Sequence, residues 1–166
     1  MPRRLVAYAV AFLVFGLDRA AKALVAAHMT AADVYTVIPG FFHIVYAENR
    51  GMAFSLLAEG GGEWKAFFLI GLTALIMAFV ATVLWQTPHT GVAAGWRARL
   101  GLSFVLGGGM GNLYDRIRGG AVVDFLDFQL GGYHWPAFNV ADSMITVGVA
   151  LVLLDVWLDR RKARAD

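Results

Sequence analysis

GGGMGNLYDRIRGGAVVDFLDFQLGGYHWPAFNVAD, residues Gly107 to Asp142, decides how this chain folds. It opens inside one apolar run and closes at the start of the next, so it is the crossing between two hydrophobic segments. Two carboxylates, Asp124 and Asp142, sit at the edge of those segments. Gly107 and Gly111 have the small-xxx-small spacing that lets one membrane helix approach another closely. Gly108, Asn112 and Arg116 recur every four residues and therefore share one helix face. After Gly119-Gly120 the pattern changes, and Val-Val-Asp-Phe-Leu-Asp-Phe mixes apolar residues with acids. Pro136 interrupts the chain, and Asn139 then opens the last apolar run with Asp142 on the same side of its first turn.

Working outward, the composition fits a multi-span membrane protein. Of 166 residues, 59% are hydrophobic and only 16% charged, and the mean hydropathy is +0.63. That is too apolar for an ordinary soluble domain, and the excess is clustered in blocks. The net charge of +2 and the pI near 9.2 reflect basic residues at the ends of apolar runs, a signature of membrane topology and not of nucleic-acid binding. There is no cysteine, so disulfides, thiolate nucleophiles and Cys-ligated metals are excluded.

The expected architecture is all-α, a single membrane domain over 1–166 with four transmembrane helices and a small extra-membrane β element on the outer face. The spans are expected at about 5–27, 66–85, 100–115 and 140–158, with outer loops at 28–63 and 116–138. Met1-Pro-Arg-Arg ahead of Leu5–Leu17 imitates a secretory signal, but the apolar run resumes beyond Asp18, Arg19 and Lys22 to Ala27 and reads as a span. Asp18 and Lys22 are four apart with the acid first, the favourable order for a helical ion pair. A charge pair inside a membrane span is either functional or a staple for the helix. Ala66–Trp85 is 20 residues without a charge, long enough to cross a core of roughly 30 Å at about 1.5 Å per residue. Trp64 and Trp85 at its ends fit an interfacial aromatic belt. In the first loop, Val34–Ile38 and Phe41–Tyr46 read as strands around the Pro39-Gly40 turn, giving two or three strands lying on the membrane. Asn49-Arg50-Gly51 reads as a second turn, and Gly60-Gly61-Gly62 as a hinge. Asp155 is expected at the interface or paired with an arginine.

Positive charges set the orientation. Arg3, Arg4, Arg97, Arg99, Arg160, Arg161, Lys162 and Arg164 make eight on one side, against four (Arg50, Lys65, Arg116 and Arg118) in the opposite loops. The positive-inside rule then places both termini in the cytoplasm and both aspartates near the outer face. Asp18, roughly 20 Å along its helix from Leu5, lies in the outer part as well.

Two carboxylates brought together at a membrane edge suit acid–base catalysis. Like-charge repulsion and poor hydration raise one pKa, leaving one acid and one base that can activate water against a peptide carbonyl. Each aspartate also has a plainer reading: Asp142 as a complement to a helix N-terminus, Asp124 as a partner of Arg116 or Arg118.

The motifs taken together resemble lipoprotein signal peptidase (signal peptidase II), a family of bacterial membrane aspartyl proteases. The resemblance covers the whole chain. Asp18 and Lys22 match the family's Asp-x-x-x-Lys, and Asn49, Gly51, Ala53 and Phe54 its Asn-x-Gly-x-Ala-Phe. Gly107, Gly108, Gly111, Asn112, Asp115 and Arg116 match Gly-Gly-x-x-Gly-Asn-x-x-Asp-Arg. Gly120, Val122, Asp124 and Phe125 match Gly-x-Val-x-Asp-Phe, and Phe138, Asn139, Ala141 and Asp142 match Phe-Asn-x-Ala-Asp. Arg19 is a departure, since many members have an uncharged residue there. The resemblance implies a catalytic pair of Asp124 and Asp142; the absence of cysteine and of histidine ligand spacing leads to the expectation of no metal, and no cofactor is expected. Asn49, Gly51, Asn112, Arg116 and Asn139 are expected to hold substrate backbone or orient the pair, and Asp18, Lys22, Gly108 and Asp115 to support it. It further implies a monomer in the bacterial inner membrane, cutting prolipoproteins on the amino side of a diacylglyceryl-modified cysteine.

Two other classes compete on residue types alone. A proton-coupled transporter would use Asp18, Lys22, Asp124 and Asp142 as a relay, but it wants carboxylates spread through the bilayer, and these cluster on one side. A metal-dependent phosphotransferase would draw on Asp115, Asp124 and Asp127, at spacings that match no metal motif. His28, His43, His89 and His134 read as scattered loop residues without ligand spacing.

Overall fold

The computed structural model describes residues 3–51, 64–86 and 95–163. The Ala53 and Phe54 motif positions, the Gly60–Gly62 hinge, His89 and Arg164 lie outside them. Four long helices carry a four-stranded antiparallel sheet: α1 (Arg3–His28), β1 (Val34–Ile38), β2 (Phe42–Asn49), α2 (Trp64–Gln86), α3 (Trp96–Gly119), β3 (Val122–Leu130), β4 (Tyr133–Phe138) and α4 (Val140–Lys162). The helices match the four expected apolar segments, and α3 is longer than its 100–115 core. Two of them, α2 and α4, are long and apolar enough to cross a membrane, with mean hydropathies of 2.6 and 1.8.

α3 is the hub and packs on α1, α2 and α4. Its glycines explain why. A Cβ at Gly108 would stand 2.5 Å from the Ala141 carbonyl oxygen and 3.0 Å from Ile145 Cγ1, so only glycine lets α4 seat this closely. Gly107 meets Ala11 and Val14 of α1, and Gly101 meets Gly148 of α4. Away from the polar end, Ala7, Ala11, Met77, Val80, Leu84 and Leu106 form the apolar core. There the Tyr8 hydroxyl donates to the Ala81 carbonyl at 2.7 Å.

The β element departs from expectation. The sheet has four strands in the order β1-β2-β3-β4, and half of it comes from the 116–138 segment read as a loop. Asp124 and Asp127 hid the strand pattern of β3, because both acids occupy buried positions where apolar residues are expected. Pro136 hid β4, yet β4 is an edge strand, where a missing N–H is tolerated. Gly131 and Gly132, at φ 55° and 85°, make the two-residue turn between them, a conformation in which both residues take positive φ. The β2–β3 register pairs Ala47 with Asp124 and Asn49 with Val122, so the end of β2 delivers Asn49 beside Asp124.

Candidate active site

The polar residues of the site come from β2, α3, β3 and the start of α4. Asn139 caps α4: its extended backbone (φ −134°, ψ −176°) leaves the side-chain oxygen to accept from the Asp142 backbone N–H at 3.0 Å. The same side chain's Nδ2 donates to Asp124 Oδ1 at 2.7 Å. One buried amide therefore ties the two carboxylate-bearing segments together. From α3, Asn112 Nδ2 donates to Asp142 Oδ1 at 2.8 Å. From β2, Asn49 Nδ2 donates to Asp124 Oδ2 at 3.0 Å, and its Oδ1 accepts from Gly51 N at 2.9 Å. Arg116, one turn after Asn112, donates to the Gly51 carbonyl at 2.9 Å and so fixes the end of β2 against α3.

Behind this layer lies a buried ionic cluster between α1 and α3. Lys22, 1% exposed, contacts Asp18 Oδ2 at 2.9 Å and Asp115 Oδ2 at 2.8 Å, and donates to Asn112 Oδ1 at 2.8 Å. Because Lys22 occupies the oxygen of Asn112, the amide nitrogen is the end that faces Asp142. Asp18 Oδ1 accepts from Ala141 N at 2.9 Å, holding the first turn of α4, and Gly111 leaves room for that carboxylate. Arg19 completes the charge balance by pairing with Asp115 and lying over the Tyr114 ring at 4.5 Å. Sequence reading treated Arg19 as an odd extra cation; its partner is 96 residues away and no local spacing announces it.

Asp124 is 3% exposed, and burial pushes its pKa up to about 6. Hydrogen bonds from Asn49 and Asn139 oppose the shift, and the nearby Asp142 charge reinforces it. Asp142 is only half-buried. A carboxyl that holds its proton more firmly than usual, next to a second carboxylate, can serve as acid and base by turns.

The structure separates this pair from the other acids. Asp115 is committed to Lys22 and Arg19, and Asp127 to the sheet, so the three acids of the phosphotransferase reading do not converge. Arg118 bonds the Tyr114 hydroxyl, and Arg116 the Gly51 and Asn112 carbonyls; neither pairs with Asp124 as the plainer reading had it. Asp155 lies 3.9 Å from Arg97, as one of its two expected outcomes had it. Three histidines are not scattered in loops: His28 ends α1, and His43 and His134 lie on strands. His43 on β2 and His134 on β4 flank Asp127 from both sides, at 3.7 and 2.5 Å. Their adjacency follows from strand pairing alone, which is why spacing did not reveal it.

A family model described as signal peptidase (SPase) II matches residues 10–158. The chain is 46% identical to a lipoprotein signal peptidase of Solibacter usitatus, over 95% of this chain and 93% of that one. It is 43% identical to one of Oleidesulfovibrio alaskensis, over 94% and 97%. Two solved structures, each described as a bacterial membrane enzyme, superpose with TM-scores of 0.80 and 0.78 at 30% and 28% identity. The first superposition covers 93% of this chain and 89% of the other.

Proposed function

The chain belongs to the signal peptidase II family of aspartic endopeptidases, and from that premise we propose that it removes signal peptides from diacylglyceryl-modified prolipoproteins with Asp124 and Asp142 as the catalytic pair. The observation that carries the assignment is the Asn139 side chain, which donates to Asp124 and accepts from the Asp142 backbone. It supports a single reaction centre made from two segments.

In this reading one carboxylate takes a proton from water as the water oxygen attacks the scissile carbonyl carbon. The other, protonated, carboxyl hydrogen-bonds the carbonyl oxygen as it gains negative charge. Collapse of the tetrahedral adduct breaks the C–N bond, and the proton taken from water passes to the departing amine of the lipidated cysteine. No covalent intermediate is needed. The carbonyl of Gly51, held by Arg116, and the amides of Asn49 and Asn112 offer donors and acceptors for substrate backbone that lipid cannot satisfy.

The four helices are proposed to span the bacterial inner membrane as one domain, with both termini cytoplasmic and the pair near the outer face. Eight positive charges at one end against four at the other support this orientation. A cytoplasm-dependent reporter fused after Asp166 should be active; activity of a periplasm-dependent reporter there would reverse the topology.

The test of function is cleavage of a lipidated and an unlipidated prolipoprotein by the purified enzyme. Cleavage should require the lipidated substrate, persist in EDTA, and disappear in Asp142→Asn. Loss of activity in EDTA with recovery on adding a divalent ion, or undiminished turnover by Asp142→Asn, would overturn the mechanism.

A further inference from the structure

A second polar cavity, of about 280 Å³, lies where the end of α3 meets the sheet. Tyr46, Glu48 and Val123 line it from the strands, and Asp115, Arg118 and Gly119 from the helix. In the β2–β3 register Glu48 pairs with Val123 and Ala47 with Asp124. Successive residues of a strand face opposite sides, so this cavity and the Asp124 carboxyl lie on opposite faces of β3. The volume falls just below the roughly 300–1,000 Å³ of pockets for drug-sized ligands and suits a small polar group.

Both signs of charge border this cavity. Asp115 is already balanced by Lys22 and Arg19. Arg118 donates to the Tyr114 hydroxyl at 2.9 Å and forms no ion pair among the described residues. On the strand side, Glu48 accepts from the Tyr46 hydroxyl at 3.2 Å and lies 3.6 Å from Arg50, with 49% of its side chain exposed. Gly119 is the last residue of α3, where the helix dipole places partial negative charge. A ligand that answers these walls carries a cation for Glu48 and the helix end, and an anion for Arg118.

The surface beside Arg118 is apolar and belongs to the seam between α1 and α3. Arg19 lies over the Tyr114 ring at 4.5 Å, and Phe15 meets the same ring edge-on at 6.2 Å. One turn further on, Ile117 is 66% exposed. Two guanidiniums thus flank one tyrosine, and hydrocarbon surface continues below them. We propose that the cavity binds the phosphoethanolamine headgroup of a membrane phospholipid. Its ammonium, with three N–H donors, sits against Glu48 and the end of α3. Its phosphate accepts from Arg118 and Arg19, whose planar forks match phosphate oxygens. The acyl chains run along the seam past Tyr114 and Phe15. A purely anionic headgroup leaves Glu48 unmatched, and a trimethylated amine has no N–H to donate. The diacylglyceryl cysteine of the proposed substrate has no phosphate, so this is not a second place for substrate, and binding here is independent of the cleavage chemistry.

The test is native mass spectrometry of delipidated full-length protein in detergent, titrated separately with phosphatidylethanolamine, phosphatidylglycerol and phosphatidylcholine. One phosphatidylethanolamine should be retained at severalfold higher occupancy than either other lipid. Free phosphoethanolamine should displace it only at much higher concentration, because the chains contribute to binding. Glu48→Gln should erase the preference for phosphatidylethanolamine over phosphatidylcholine, and Arg118→Gln should lower the occupancy of all three lipids severalfold. Equal retention of the three lipids by the unsubstituted protein would overturn the proposal, as would an unchanged preference in folded Glu48→Gln. Free phosphoethanolamine binding as tightly as the lipid would assign the cavity to a soluble ligand and overturn it too. Glu48→Gln decides the matter if Arg118→Gln does not fold.

Discussion

Asp124 and Asp127 stand three residues apart on one strand, both 3% exposed, yet their surroundings differ in kind. Asp124 receives only neutral amide donors, from Asn49 and Asn139, and faces a second carboxylate across the end of α4. Asp127 receives His43, His134 and Gln129 from its own sheet. Asp124 is held by neutral amides beside a second carboxylate, whereas Asp127 is held within its own sheet by two imidazoles and an amide. Burial alone does not make a carboxylate reactive. The kind of partner decides whether it trades its proton or merely holds strands together.

The comparison extends to the helices, where the ionic cluster behind Asn112 belongs with Asp127 in kind. The largest expected loss of stability is at Lys22. Lys22→Met leaves Asp18 and Asp115 buried with less counter-charge, and removing one partner of a buried ion pair costs about 3–5 kcal/mol. Thermal unfolding in detergent should show a large drop, with turnover falling as Asn112 loses the contact that orients it. An unchanged unfolding temperature would mean the cluster is not a structural support.

Asp127→Asn should cost on the order of 1–3 kcal/mol, the penalty for leaving buried polar partners poorly matched. It should nevertheless keep most of the turnover, read on the same purified sample. Asn139→Ala comes next. Losing a helix cap costs about 1 kcal/mol, but here the same side chain positions both carboxylates of the proposed catalytic pair, so turnover should fall far more than stability. Equal, small effects on both would show that Asn139 is only a cap. Arg19→Gln is the smallest: Arg19 is 27% exposed, and Lys22 still serves Asp115, so a change of at most about 1 kcal/mol is expected.

Much of this was legible before any coordinates. Asp124, Asp142, Asn139 and Asn112 stood out because polar residues at the rim of apolar runs have few structural reasons to be there. The four helices followed from runs of apolar residues, which need no partner to be recognised. What stayed hidden depends on pairing across the chain. β3 was obscured by acids in buried positions, and β4 by Pro136, although Gly131-Gly132 between two apolar stretches is a hairpin signal that warranted a strand reading. His43 and His134 meet Asp127 only once three strands are aligned. Arg19 acquires its meaning only when α1 and α3 are packed.

The pH dependence of stability sharpens the contrast. The folded pKa of Asp124, about 6, lies above the ordinary 3.8, so folding favours its protonated form. That contribution is fully present below about pH 3.8 and is lost as pH rises through about 6. Ionised Asp124 therefore weighs against the fold at neutral pH, by about 3 kcal/mol at roughly 1.4 kcal/mol per pKa unit. Asp124→Asn carries no such penalty. Relative to the unsubstituted protein, it should gain about 2 kcal/mol between pH 4 and pH 8, whatever its offset from mismatched amide donors.

The most direct measurement is turnover of a lipidated prolipoprotein by purified Asp124→Asn and Asp127→Asn, side by side at neutral pH, with folding of each confirmed by thermal unfolding. Asp124→Asn should lose at least about a hundredfold in turnover, the lower range for removing an acid–base group, while Asp127→Asn keeps most of its activity despite being less stable. Substantial turnover by folded Asp124→Asn, or its loss in folded Asp127→Asn, would contradict the account.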